Sequence, residues 1–169
     1  MNAPTQHELE TLAGEVGTYL REAGQMLATA ESCTGGWVGQ CLTAIPGSSA
    51  WYERGFITYS YAAKSELLGV PSDLIVARGA VSEPVALAMA EGALTHSTAD
   101  WSLAITGIAG PDGGTPEKPV GTVCFAWAGC DGTRQVSTHH FAGTRAEVRA
   151  QAVATALHGL LGHIGRAMA

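Results

Sequence analysis

The sequence predicts an α/β fold built on a mixed, mostly parallel sheet of about five strands. Three observations lead there. Helix-like and strand-like segments alternate through the first two thirds of the chain, as parallel-sheet units do. WSLAITG at 101–107 is a near-continuous apolar run, the pattern of a strand covered on both faces. Cys130-Asp131-Gly132 separates two alternating runs, a hairpin signal that makes at least one strand antiparallel.

The elements follow in order. Leu9, Leu12, Val16, Tyr19 and Leu20 give residues 6–24 a helical spacing. A short strand near 26–31 meets a helix over about 35–45, which Pro46-Gly47-Ser48-Ser49 stops. ERGFITYS, ending at Ser60, is the second strand, rich in β-branched and aromatic residues. A helix near 62–68 ends at Gly69-Val70-Pro71. Ser82 is placed to N-cap the next, with Pro84 in its first turn and apolar positions through Leu94. After the strand at 101–107 comes a long Gly/Pro loop, IAGPDGGTPEKPVG; loops of that length are usually functional or mobile. GTVCFAWAG and TRQVSTHHFAG form the C-terminal hairpin, and a last amphipathic helix runs from about Thr144 to the end.

The 169 residues fit one domain, 1–169, large enough to bury its own core. The sequence shows neither a membrane-length apolar run nor a signal peptide, so the expected location is the cytoplasm. Charged residues make up 14%, against a typical ~25%. So little charge suggests either a homo-oligomer interface or simply a sequence rich in Ala and Gly. The net charge of −6 argues against direct nucleic-acid binding, which needs basic surface. It leaves room for a small anionic ligand held by local donors. Cys33, Cys41, Cys124 and Cys130 form no CxxC pair. His139 and His140 point to opposite strand faces, and His158 and His163 are poorly spaced on a helix. Neither a metal nor a cofactor is expected.

The stretch ATAESCTGG at 28–36 puts a hydroxyl, a thiol and two glycines at a strand-to-helix junction. Orphan N–H groups there could stabilise an oxyanion beside a nucleophilic oxygen. Ser32 is the candidate nucleophile. Ser32 or Thr34 could equally be a plain N-cap, and Cys33 is a rival, because a helix N-terminus lowers a thiol pKa. Lys64 can serve as base if burial or neighbours depress its pKa; otherwise it is an exposed lysine near Glu66. Tyr59 could relay a proton or merely end the sheet. TGIAGPDGG at 106–114 could wrap a ligand with backbone groups. Arg145 suits a carboxylate or phosphate, or else pairs with Glu147. In open α/β sheets ligands bind beyond the carboxyl ends of parallel strands, where Ser32, Tyr59 with Lys64, and Thr106 all fall.

Taken together, AESCTGG at 30–36, PGSSAWYERGFITYS at 46–60 with Lys64, GAVSE at 79–83, ITGIAGPDGGTPEKPVGTV at 105–123 and GTR at 143–145 resemble the CinA carboxyl-terminal-domain family of nicotinamide-nucleotide amidases. The resemblance runs from about Gln25 into the last helix. It implies a three-layer α/β/α fold and hydrolysis of the amide of a small-molecule nucleotide, nicotinamide mononucleotide, to nicotinate mononucleotide and ammonia. It also implies Ser32 as nucleophile, Lys64 as activating base and Tyr59 assisting. Thr34, Gly35, Gly36, Ser48, Thr106, Gly107 and Arg145 are the expected substrate-binding residues. Two positions depart from the family pattern: Tyr61 stands where Asn is common, and Thr144 where an acidic residue is usual. A ligand-binding module without turnover and a partner in DNA uptake or repair are the alternative classes.

Overall fold

The computed structural model describes residues 2–167. Its elements are α1 (Gln6–Ala23), β1 (Leu27–Glu31), α2 (Trp37–Thr43), a 3-10 turn (Ser48–Ala50), β2 (Tyr52–Ile57), α3 (Tyr61–Leu68), α4 (Ser72–Arg78), α5 (Glu83–Thr95), β3 (Trp101–Gly107), β4 (Thr122–Gly129), β5 (Arg134–His140) and α6 (Arg145–Ala167). The sheet order is β2-β1-β3-β4-β5. β1 pairs in parallel with β2 and β3, while β4 is antiparallel to both β3 and β5. Four strands therefore share one direction and β4 alone opposes them, as expected of a mixed, mostly parallel sheet.

Side-chain size along the strands explains the layers. Leu27, Trp101, Leu103, Ile105, Val123, Phe125 and Trp127 pack in one core with α1, α2 and α6. The alternate positions Ala28, Ala30, Ala104, Cys124, Ala126 and Ala128 face the other way, into a core with Leu68, Ile75, Val85 and Met89. Period-two alternation sends large residues to one face and small ones to the other. The small face lets the alanine-rich α5 approach so closely that the Ser102 hydroxyl donates to the Ala90 carbonyl at 2.7 Å.

Element boundaries have local causes. A capping box opens α1: Thr5 accepts from the Glu8 N–H, and the Glu8 carboxylate accepts from the Thr5 N–H. The helix predicted from 35 starts at Trp37, because Gly35 and Gly36 have φ of 60° and 97°, outside helical space. The second strand stops at Ile57 instead of Ser60. Its partner β1 has ended, and the Ser60 hydroxyl is used to cap α3 by accepting from Ala63 N–H. The helix α4 was not expected; it is seven residues long and buries one apolar side chain, Ile75, too little for a periodic signal. Ser82 and Pro84 start α5 as predicted. The end of the last predicted helix, residues 168–169, lies outside the described residues. Among the described residues no helix is long and apolar enough to cross a membrane.

Candidate active site

The carboxyl ends of β1, β2 and β3 meet at one edge of the sheet, and a cavity of about 210 Å³ opens there. Ser32, Cys33, Tyr59, Tyr61, Lys64, Thr106, Gly107 and Arg145 line it, with Ala80, Val81 and Ala109. A larger groove of about 620 Å³ beside Arg78, Glu83 and Lys118 contains no nucleophile paired with a base. Chemistry, rather than volume, selects the smaller cavity.

Ser32 follows β1 directly, and its N–H donates to the Ile105 carbonyl at 3.0 Å, which fixes the backbone against β3. Lys64 sits one turn into α3 and points back under the sheet edge. Its side chain is almost wholly enclosed, at 1% exposure, so the surface-lysine alternative does not hold. Nζ lies 3.0 Å from Ser32 Oγ and donates to the Thr58 carbonyl at 2.8 Å. Neither ion pair among the described residues, Arg54–Glu53 or Arg134–Glu91, involves Lys64. Burial without a carboxylate pushes the Lys64 pKa below the ordinary lysine value of 10.5. In the neutral amine the same 3.0 Å contact runs the other way, the Ser32 hydroxyl donating to the Nζ lone pair.

Cys33 is unsuited to the rival role. Burial pushes its thiol up to about 12, which outweighs the lowering by Arg149 and Lys64 nearby. The cap alternative for Ser32 and Thr34 fails as well. The N-cap of α2 is Gly36, and the Glu31 carboxylate takes the place of a capping side chain. Glu31 accepts from Thr34 Oγ1 at 2.7 Å, Val38 N–H at 2.9 Å and Gly39 N–H at 3.1 Å.

Four expected substrate-binding positions do not reach the cavity. The Thr34 side chain is fully buried and spent on Glu31. Gly35 and Gly36 form the back of the turn, where positive φ is required. Ser48 precedes β2, which runs parallel to β1, so a six-residue strand of roughly 20 Å separates it from the carboxyl edge. Thr106 and Gly107 do line the cavity, but the Thr106 hydroxyl donates to the Ala80 carbonyl at 2.8 Å and braces the wall.

Tyr59 and Arg145 work as a pair at the cavity mouth. Arg145 donates to the Gly110 carbonyl at 2.7 Å and to the Tyr59 hydroxyl at 3.1 Å. Tyr59 lines the cavity with Ser32 and Lys64, is 64% exposed, and has no hydrogen bond to either among the described residues. Arg145 also does not pair with Glu147, whose carboxylate accepts from the Thr144 N–H in a capping arrangement. Both acceptors of the Arg145 guanidinium, the Gly110 carbonyl and the Tyr59 hydroxyl, are neutral.

Two residues escaped sequence reasoning. Glu31 was legible only as a lone charge in an apolar strand. Arg149 follows Arg145 by four residues and so shares its helix face. It donates through Nε to the Cys33 carbonyl and through Nη2 to the Thr34 carbonyl, each at 3.0 Å.

The model of the CinA C-terminal domain matches residues 9–164. The nicotinamide-nucleotide amidohydrolase PncC of Escherichia coli K12 is 52% identical over 156 residues, covering 92% of this chain and 94% of that protein. PncC of Pseudomonas putida is 50% identical over 154 residues, covering 90% and 95%. Among solved structures, the competence/damage inducible protein CihA from Agrobacterium tumefaciens superposes with a TM-score of 0.91 at 43% identity, over 96% of this chain and 98% of that one. A match of this extent, on a fold with this strand-end cavity, makes the chain a member of the CinA C-terminal domain family.

Proposed function

We propose that the chain, as one domain, is an amidohydrolase converting nicotinamide mononucleotide and water to nicotinate mononucleotide and ammonia. The observation that carries this is the buried 3.0 Å contact between Ser32 Oγ and Lys64 Nζ. Relatives about half identical over nearly the whole chain bear the name of that activity, which supports the substrate.

Neutral Lys64 takes the hydroxyl proton as Ser32 Oγ attacks the amide carbon. The Cys33 N–H, which donates to no other residue among those described, is available to the oxyanion. The tetrahedral adduct collapses as the Lys64 ammonium returns its proton to the leaving nitrogen, releasing ammonia and leaving an acyl ester on Ser32. Lys64, neutral again, deprotonates a water that attacks the ester; the acid departs and the serine proton is restored. Arg145 at the mouth holds the phosphate. The same reading includes a homo-oligomer acting in the cytoplasm, without direct nucleic-acid contact. The exposed apolar side chains Ile57, Tyr61 and Val76 are consistent with a subunit interface.

The test is ammonia release from nicotinamide mononucleotide. Ser32→Ala is expected to abolish it in a folded protein, and Cys33→Ala to retain most of it. Reversed outcomes would make the protein a thiol amidase.

A further inference from the structure

Arg149 touches no part of the cavity lining except through backbone, yet its bonds form a connected path. Its Nη2 donates to the Thr34 carbonyl at 3.0 Å. That carbonyl belongs to the peptide unit whose N–H is Gly35's, and Gly35 N–H donates to the Ser32 carbonyl at 3.0 Å. The Ser32 carbonyl in turn belongs to the peptide unit whose N–H is Cys33's. The two ends of a trans peptide point in opposite directions, so each link hands polarisation forward. The path ends on an N–H that donates to no other residue among those described. The Nε bond to the Cys33 carbonyl, also 3.0 Å, pins the intervening unit.

Two features distinguish this from an ordinary surface arginine. Arg149 is in neither ion pair among the described residues, so no carboxylate cancels its charge. Its guanidinium is held in place 5.3 Å from the Trp37 ring centroid, a cation–π contact that fixes the plane of the fork.

We propose that Arg149 is a positioning residue that strengthens and aims the Cys33 N–H at the oxyanion of the tetrahedral intermediate, acting through the two peptide units between them. The inference rests on the Ser32 reading above. Losing a whole oxyanion donor costs about 10²–10³ in rate. Losing the charge behind a donor that stays in place costs less, so roughly a 10- to 100-fold fall in kcat is expected.

The experiment compares wild type, Arg149→Gln and Arg149→Lys on nicotinamide mononucleotide, with far-UV circular dichroism as the folding control. Arg149→Gln is expected to lower kcat by about 10- to 100-fold with KM within about threefold, since the effect belongs to the transition state. Affinity for 3-pyridineboronic acid, which forms a tetrahedral adduct with a serine hydroxyl, is expected to fall alongside kcat. Arg149→Lys keeps the charge but not the two-pronged fork, so its kcat is expected to lie between the two. A folded Arg149→Gln with kcat near wild type overturns the proposal, and so does a loss confined to KM. If the Gln variant does not fold, the Lys variant decides: reduced kcat at unchanged KM supports the proposal, and wild-type kcat overturns it. Failure of the underlying reading would show separately, as turnover that survives Ser32→Ala.

Discussion

Ser32 and Lys64 are 32 positions apart in sequence, and their side chains meet 3.0 Å apart at the end of β1. Ser32 is held by β3 through its N–H, and Lys64 is held by the Thr58 carbonyl at the end of β2. Three neighbouring parallel strands thus fix one serine–lysine contact.

The pH dependence of turnover follows from the lysine. Only the neutral amine accepts the serine proton, so kcat/KM is expected to rise with pH through an apparent pKa below 10.5. Lys64→Arg keeps a positive charge but cannot lose a proton near neutral pH. Its activity is expected to fall nearly as far as that of Lys64→Ala, by about 10²–10⁴-fold, the usual worth of general acid–base catalysis. A pH–rate profile on the three proteins checks this; near-normal turnover by the arginine variant would mean that charge alone suffices.

Stability is expected to respond to the same group. Because the folded pKa of Lys64 is depressed, the unfolded chain binds more protons between the lowered value and 10.5. The Lys64 contribution therefore improves as pH rises through that window and worsens as pH falls. Measured against Lys64→Met, wild type is expected to be the less stable near neutral pH, with the gap narrowing towards pH 10.5. Denaturant midpoints at several pH values give the comparison, and a gap independent of pH would contradict the depressed pKa.

Glu31 holds the other side of the turn that follows Ser32. Glu31→Gln replaces one acceptor oxygen by a donor that faces N–H and O–H groups. An unsatisfied buried group costs about 1–3 kcal/mol. At about 2–4 °C per kcal/mol for a chain of this size, Tm is expected to fall by roughly 2–12 °C. Thermal unfolding measures it; an unchanged Tm would mean that the three bonds Glu31 accepts add nothing to stability.

What could be read from the sequence was mostly what depends on local pattern. The near-continuous apolar run of WSLAITG marked a buried strand, and Asp131-Gly132 between two alternating runs marked the hairpin, because both signals act over a few residues. Ser32 and Lys64 were legible as residue types, but their meeting depends on β1 lying between β2 and β3, which no local pattern encodes. The position of Ser48 was hidden for the same reason: a polar turn is visible in sequence, but which end of a parallel strand it occupies is a property of the sheet. Glu31 and Arg149 stayed hidden because each works on backbone groups, which every residue supplies alike.

The Tyr59–Arg145 pair gives the last prediction, on substrate selection. The guanidinium is fixed by the Gly110 carbonyl and the Tyr59 hydroxyl, and neither neutralises it. A protein of net charge −6 repels an anionic nucleotide at long range, so affinity has to come from such a local cation. A hydrogen bond to a charged group is worth about 1.5–3 kcal/mol, or roughly ten- to a hundred-fold in binding. Wild type is therefore expected to prefer nicotinamide mononucleotide over the riboside and over free nicotinamide, and Arg145→Ala to narrow that preference by about that factor. Tyr59→Phe removes only one of the two bonds that hold the arginine, so it is expected to narrow the preference less. Because the tyrosine acts through the arginine, the double variant is expected to behave like Arg145→Ala alone, a non-additivity that a double-mutant cycle detects. Comparing kcat/KM for the nucleotide and the riboside across the four proteins measures both quantities. Equal rates on the two compounds in wild type would remove the phosphate from the site and leave Arg145 as a clasp between Tyr59 and the 108–121 loop.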